Sequence, residues 1–113
     1  AGHPVCGLSY EGFCIDNLLA GTQARVTPYT YRTHAGAEID LVLERGGKPW
    51  MAIDIKRSTT PTLSKGFELA CDDLGVSQRF VVYPGTERFP MRHGAQAMGL
   101  LELMQVLQTA CRL

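Results

Sequence analysis

The chain has 113 residues, of which 45% are hydrophobic and 19% charged, the proportions of an ordinary folded domain. Its formal net charge is zero, which argues against tight nonspecific binding of nucleic acid by the whole surface. No apolar run approaches the ~20 residues of a membrane span, and no signal peptide is visible. We therefore expect one cytoplasmic domain, and its start at AGHP without Met suggests a fragment of a longer protein.

Cysteine and histidine spacing does not suggest a disulfide framework or a zinc site, since neither residue type forms a close cluster. Most cysteines stand among apolar neighbours, so we interpret them as reduced thiols that line the core. The cysteines are Cys6, Cys14, Cys71 and Cys111, and the histidines are His3, His34 and His93.

Patterns of apolar residues divide the chain into seven elements. In chain order they are a helix at 5–21, strands at 25–33, 38–44 and 50–57, a helix at 63–74, a strand at 79–85 and a helix at 95–113. Ser9 is a candidate N-cap of the first helix, and Gly21 and Gly75 are expected to end the first and second. The first three strands predict an antiparallel meander, and the fourth is typical of a strand buried on both faces. The fold class is α/β, with a mixed sheet flanked by helices.

Two acidic residues interrupt the apolar pattern of the second and third strands. Asp40 lies in the second strand, and Asp54 lies in the third, two residues before Lys56. Because side chains alternate along a strand, Asp54 and Lys56 share a face, as Glu38 and Asp40 do on the neighbouring strand. If the Ile/Leu face of the sheet packs on a helical layer, these polar side chains project to the other side.

Whether the two acids meet depends on the length of the glycine turn. A two-residue Gly46-Gly47 loop would place Asp40 opposite Ile53 and mix polar with apolar residues on both faces. A three-residue loop that includes Lys48 would place Asp40 opposite Asp54, at the expense of a bulge. The second register is consistent with the pattern, so we predict it.

Two facing carboxylates repel each other unless a positive charge lies between them. Mg²⁺ or Mn²⁺ is a natural solution, because such ions take one or two carboxylates together with waters and phosphate oxygens. Lys56 would then orient or deprotonate the attacking water, or stabilise charge on a phosphate. The alternative is that Lys56 simply neutralises the acids as a salt bridge.

The spacing of Asp40, Asp54 and Lys56 resembles the PD-(D/E)xK phosphodiesterase superfamily, which has the restriction-endonuclease-like fold. More narrowly, several segments resemble the C-terminal domain, of unknown function, of a group of bacterial predicted AAA+ ATPases. These segments are YEGFCIDNLL, YRTHAGAEIDLVLE, AIDIKRS, SKGF and RFVVYPG, and the resemblance extends from His3 to about Leu107. Ile39 stands where the name of the motif suggests a proline, and Asp54 replaces the commoner Glu.

The resemblance implies roles for four residues. Asp40 and Asp54 would be metal-binding acids, Lys56 the catalytic lysine, and Glu11 an additional metal-binding acid from the first helix. The implied function is Mg- or Mn-dependent hydrolysis of DNA by a domain C-terminal to an ATPase. The alternative is a non-catalytic module that serves docking, substrate recognition or homo-oligomerisation of that ATPase.

Overall fold

The computed structural model describes residues 9–22 and 25–112, and over these residues it contains one six-stranded sheet and three helices. The strands are β1 (Val26–Arg32), β2 (Glu38–Arg45), β3 (Lys48–Ile55), β4 (Gln78–Val82), β5 (Phe89–Pro90) and β6 (Ala95–Met98). The helices are α1 (Tyr10–Ala20), α2 (Lys65–Leu74) and α3 (Leu100–Arg112). The predicted class, α/β with a mixed sheet flanked by helices, is confirmed.

The strands lie in the order β1-β2-β3-β4-β6-β5. The first three form the predicted antiparallel meander, whereas β3, β4 and β6 run parallel to one another and β5 pairs antiparallel with β6. The carboxyl ends of the three parallel strands therefore meet at one edge of the sheet, which we call the carboxyl edge. In α/β proteins this is the edge where ligands usually bind.

Helices cover both faces of the sheet and divide the core into two layers. On one face α1 and α3 contribute Cys14, Leu18, Leu103, Leu107 and Cys111 to a cluster with strand residues such as Leu43 and Ile53. On the other face α2 contributes Phe67, Ala70 and Cys71 to a second cluster with Ile39, Val42 and Val81. Because the central strands are covered twice, any polar side chain on them is removed from water unless it lies near an end.

The helix ends follow the local capping signals. The Ser9 hydroxyl accepts a hydrogen bond from the backbone N–H of Gly12 at 2.9 Å, and Gly21 caps the other end of α1. The Ser64 hydroxyl caps α2 in the same way, accepting a hydrogen bond from the Phe67 N–H at 3.2 Å. Gly75 ends α2 in the left-handed conformation, with φ of 69°. The caps predicted for both helices are thus confirmed, while residues 5–8 of the first predicted helix lie outside the described residues.

The prediction for the C-terminal third was partly wrong. Residues 95–98, predicted as the first turn of the last helix, form β6, and α3 begins only at Leu100. The predicted loop at 86–93 also contains the short strand β5. Ala, Gln and Met favour helices, but pairing with β4 and burial between the two helical layers outweigh that local preference. The sheet therefore has two more strands than predicted.

The β2–β3 turn also differs from the predicted three-residue loop. Arg45 pairs with Lys48 across a two-residue turn in which Gly46 and Gly47 have φ of 63° and 78°. Positive φ at both positions is what such tight hairpin turns require, and glycine adopts it without steric cost. The register then shifts between Leu43 and Glu44, so that Trp50 is the extra residue on β3. The predicted acid register is reached by this bulge rather than by a longer loop.

Three of the four cysteines lie within the described residues. Cys14, Cys71 and Cys111 are buried and free, as predicted, and Cys6 lies outside the described residues. Burial raises the pKa of the Cys71 thiol to about 11, which keeps it protonated at neutral pH. Within residues 9–22 and 25–112, no helix has the length and apolar character needed to cross a membrane.

Candidate functional site

Asp54 and Lys56 lie at the carboxyl edge, where β3 ends. Asp54 is only 5% exposed, and Lys56 follows just beyond the last strand residue. The backbone N–H of Lys56 donates to the Val82 carbonyl at 2.8 Å, which ties this segment to the end of β4. The Lys56 ammonium lies 3.1 Å from the Asp54 carboxylate. The third strand thus presents an acid and a base in direct contact.

Asp40 reaches the same place from β2 by way of a bulge. Tyr29 pairs with Val42 and Tyr31 pairs with Ile39, so Asp40 and Leu41 together lie opposite Thr30. Because β2 has one residue more than β1 at this point, the alternation of the β2 side chains changes there. Bulges of this kind often direct a side chain into a site. Ile39 therefore packs toward α2, whereas Leu41 packs toward α1 and α3.

Asp40 and Asp54 form what we call the acidic pair. Leu41 pairs with Ile53, and continuing this register by one residue places Asp40 beside Asp54. Asp40 is 8% exposed, and its Oδ2 accepts the backbone N–H of Ile55 at 2.9 Å. A buried carboxylate that accepts a hydrogen bond from a backbone N–H of the neighbouring strand has little freedom to rotate. The two acids are therefore fixed next to each other.

The environment of the acidic pair raises the pKa of Asp54 to about 7. Burial is the largest cause, followed by a side-chain hydrogen bond and charge repulsion from Asp40, while Lys56 acts in the opposite direction. Near neutral pH a proton is thus easily held at Asp54. A cation placed against both acids would displace it, because opposite charge favours the ionised carboxylate.

Glu11 faces the same cavity from the first turn of α1, but less closely. It is exposed, and its pKa is raised first by desolvation and then by the charge of Asp40. Among the described residues, no three His, Cys, Asp or Glu side chains lie close enough together to hold a metal ion. The structure therefore brings Asp40, Asp54 and Lys56 together and places Glu11 in the wall of the same cavity.

These residues line an open cavity of about 410 Å³, which we call the acidic cavity. Its wall is completed by Glu38, Ser64, Gly36 and Gly66. A Cβ at Gly66 would lie 2.5 Å from the Gly36 carbonyl oxygen, so only glycine lets α2 approach the β1–β2 turn this closely. A glycine inside a helix lowers helix stability. The occurrence of Gly66 in a helical pattern is therefore a sequence signal of such a close backbone approach.

Arg32 and His93 pair with acids other than Asp40 and Asp54. Arg32 pairs with Glu38 at 3.6 Å on the exposed side of β1. His93 Nε2 lies 3.0 Å from a carboxylate oxygen of Glu68, far along the chain from the acidic pair. His34 is exposed in the β1–β2 turn, and His3 lies outside the described residues. Among the described residues, neither His34 nor His93 belongs to a group of three potential metal ligands.

Comparison with known proteins gives relatives that are themselves uncharacterised. The chain is 39% identical over 89 residues to the uncharacterized protein Rv2008c of Mycobacterium tuberculosis and equally to the uncharacterized protein Mb2031c of Mycobacterium bovis. Each match covers 79% of this chain but only 20% of the relative, so the chain spans about a fifth of the length of these curated proteins. No solved structure matches. Residues 6–103 match the family described as domain of unknown function (DUF4143), and the chain belongs to that family.

Proposed function

We propose that the acidic cavity hydrolyses phosphodiester bonds of DNA with the help of a divalent cation. The observation that supports this proposal is the acidic pair itself, two buried carboxylates held side by side with a lysine ammonium 3.1 Å from one of them. Carboxylates are rarely buried together without a compensating charge. Lys56 supplies one positive charge, and a cation would compensate the second acid.

The chemistry of the acidic pair fits Mg²⁺ or Mn²⁺. Such ions are usually held by one or two carboxylates, with waters and phosphate oxygens at the remaining positions. Asp40 and Asp54 would hold the ion, and Glu11, which lines the same cavity, would reach it through water. When bound, the ion polarises the phosphate and lowers the pKa of a water molecule.

The protein groups have separate roles in the proposed hydrolysis. The Ile55 N–H keeps Asp40 oriented through its 2.9 Å hydrogen bond. Asp54 holds the ammonium of Lys56 at the cavity, where it can bind a non-bridging phosphate oxygen or orient the attacking water. The water oxygen bonds to phosphorus and the water gives up a proton to solvent. The bond from phosphorus to one sugar oxygen breaks, and that oxygen takes up a proton as it leaves.

The wider setting follows from the resemblance to domains that lie C-terminal to AAA+ ATPases. A restriction-endonuclease-like core is compatible with the observed mixed sheet between helices. The relatives are about five times longer than the matched region, which leaves ample length for a motor domain. We propose that the domain acts on DNA supplied by such an ATPase.

The test is cleavage of plasmid and single-stranded DNA by the full chain, with and without Mg²⁺ or Mn²⁺. Cleavage should depend on the metal and fall at least a hundredfold in Asp54→Ala and in Lys56→Ala, since removal of a catalytic group typically costs that much or more. Asp73→Ala, an exposed acid on α2 away from the cavity, is the matched control and should retain activity. Activity that persists in both cavity variants would refute the proposal.

A second candidate is a non-catalytic module that docks, recognises substrate or oligomerises within the ATPase. One observation favours it: Lys56 already forms an ion pair with Asp54, and the described residues provide no third close acid for a metal. The same assay decides between the two. Absence of metal-dependent cleavage by the wild-type chain, with the ATPase part present as well, would favour the module.

A further inference from the structure

A second cavity, of about 480 Å³, lies beside the acidic cavity at the carboxyl edge. We call it the apolar cavity, and most of its wall comes from the residues that follow β4 and from the first turn of α3. Its apolar surface is contributed by Tyr10, Tyr83, Leu100 and Leu101. A volume of this size is within the usual range for small-molecule sites. None of the residues assigned to the acidic pair belongs to it.

The wall of the apolar cavity is built by two glycines and a fixed tyrosine. A Cβ at Gly99 would lie 2.5 Å from the Gly85 carbonyl oxygen, and a Cβ at Gly85 would collide with the ring of Tyr83. The Tyr83 hydroxyl donates to the Glu87 carbonyl at 2.7 Å, which holds the ring in place. The shape of the cavity therefore depends on close backbone packing rather than on loosely placed side chains.

The two cavities are neighbours because of the sheet topology. Lys56 follows β3 and is hydrogen-bonded to Val82, and the next residue, Tyr83, lines the apolar cavity. The two cavities therefore open at the ends of adjacent strands, β3 and β4. At the start of α1 the two cavities are lined by consecutive residues, Tyr10 and Glu11.

The residues that line the apolar cavity are suited to a flat ring that carries polar groups at its edge. Leu101 is 73% exposed, an unusual position for a leucine, whereas Tyr10 is partly buried against the core. Gln105 and Thr86 add an amide and a hydroxyl to the same cavity, and Glu102 adds a carboxylate that is paired with Arg88 at 3.2 Å. Unpaired nucleobases are recognised by this combination, in which apolar or aromatic groups contact the ring and polar groups bind its edge.

We infer that the apolar cavity binds one unpaired nucleobase of the strand whose phosphodiester enters the acidic cavity. This inference rests on the proposed function and adds the substrate class. A paired base cannot enter such a cavity, so the substrate is single-stranded DNA or a strand from which one nucleotide is extruded. The residues of this cavity come from three segments that share no motif, so the cavity cannot be found from local sequence patterns.

The inference is tested by binding rather than by cleavage. The full chain carrying Asp54→Asn is titrated, without divalent metal, into a short fluorescent single strand, the corresponding duplex and a single strand with abasic sites. We expect the intact single strand to bind more tightly than the other two. In the same background Leu101→Ser should weaken single-strand binding about five- to tenfold, because contacts between bases and apolar side chains contribute strongly to such binding.

Leu69→Ser is the matched control, since Leu69 is an exposed leucine on α2, away from the apolar cavity. Equal affinity for the intact and abasic strands would overturn the inference and would favour a protein ligand instead. Equal effects of Leu101→Ser and Leu69→Ser would also overturn it. If Leu101-dependent binding is found but the Asp54-intact chain cleaves nothing, the proposed function fails and the base site stands. If cleavage is found without Leu101-dependent binding, the inferred base site fails and the proposed function stands.

Discussion

From the acidic pair we predict a pH dependence of the free energy of unfolding, which can be measured without any assay of catalysis. The pKa of Asp54 is raised from an ordinary value of 3.8 to about 7 in the folded protein, so between these values the folded chain holds a proton that the unfolded chain releases. The contribution of Asp54 to the free energy of unfolding should be most favourable below about pH 4 and should be lost as the pH rises through 7. The substitution Asp54→Asn keeps the shape of the side chain and removes this titration.

The size of the effect follows from the shift of about three pKa units. One unit corresponds to ~1.4 kcal/mol, but only about two of the three units lie above pH 5, since the folded pKa is about 7. The wild-type free energy of unfolding should therefore fall by on the order of 2 kcal/mol relative to Asp54→Asn between pH 5 and pH 8. Loss of the ion pair with the half-buried Lys56 offsets only a small part of this difference.

Urea unfolding at a series of pH values measures the difference directly. Asp73→Asn is the control, because it makes the same chemical change on the exposed face of α2 and should follow the wild-type pH dependence. Parallel pH curves for the wild type and Asp54→Asn would refute the reasoning, since they would mean that the two acids are not held together in a buried site.

Mg²⁺ at ten times its dissociation constant should raise the wild-type free energy of unfolding by about 1.4 kcal/mol at pH 8, and a similar gain in Asp54→Asn would place the ion elsewhere. Gly66→Ala should destabilise the protein by about 1–3 kcal/mol, because the new methyl group would meet the Gly36 carbonyl oxygen at 2.5 Å. A gain in its melting temperature, as helix propensity alone would predict, would contradict this close approach. Ser64→Ala should cost about 1 kcal/mol through loss of the α2 cap, whereas Ser58→Ala in the exposed loop should have little effect in the same unfolding assay.

Local signals predicted much of the fold correctly. Ser9 begins a helix and Gly75 ends one, because the side chain of the first and the backbone conformation of the second satisfy groups within a few residues. The meander was equally accessible, since alternation and glycine turns are short-range features. Residues 95–98 were misassigned because their strand exists only through pairing with β4, more than ten residues away along the chain.

The register of the acids shows a different kind of limit. The argument from polar and apolar faces reached the correct relation between Asp40 and Asp54, but it attributed that relation to a three-residue loop. The chain instead combines a tight Gly46-Gly47 turn with a bulge at Trp50, whose ring packs beneath the Arg45 guanidinium at 4.7 Å. Burial of the apolar face specifies which residues of two strands pair, but more than one combination of turn and bulge gives the same pairing.

The sequence by itself determined which chemical groups are available: two strand acids, a lysine two residues after the second, and an acid in the first turn of α1. It also determined the capped ends of α1 and α2, since caps act over three or four residues. Only the tertiary structure decided that bulges set Asp40 beside Asp54, that Glu11 lines the same cavity, and that an apolar cavity lies at the same edge of the sheet. The reason is that strand pairing, bulges and burial depend on residues distant in sequence. The raised pKa of Asp54 depends on them too, because desolvation arises only when the layers pack.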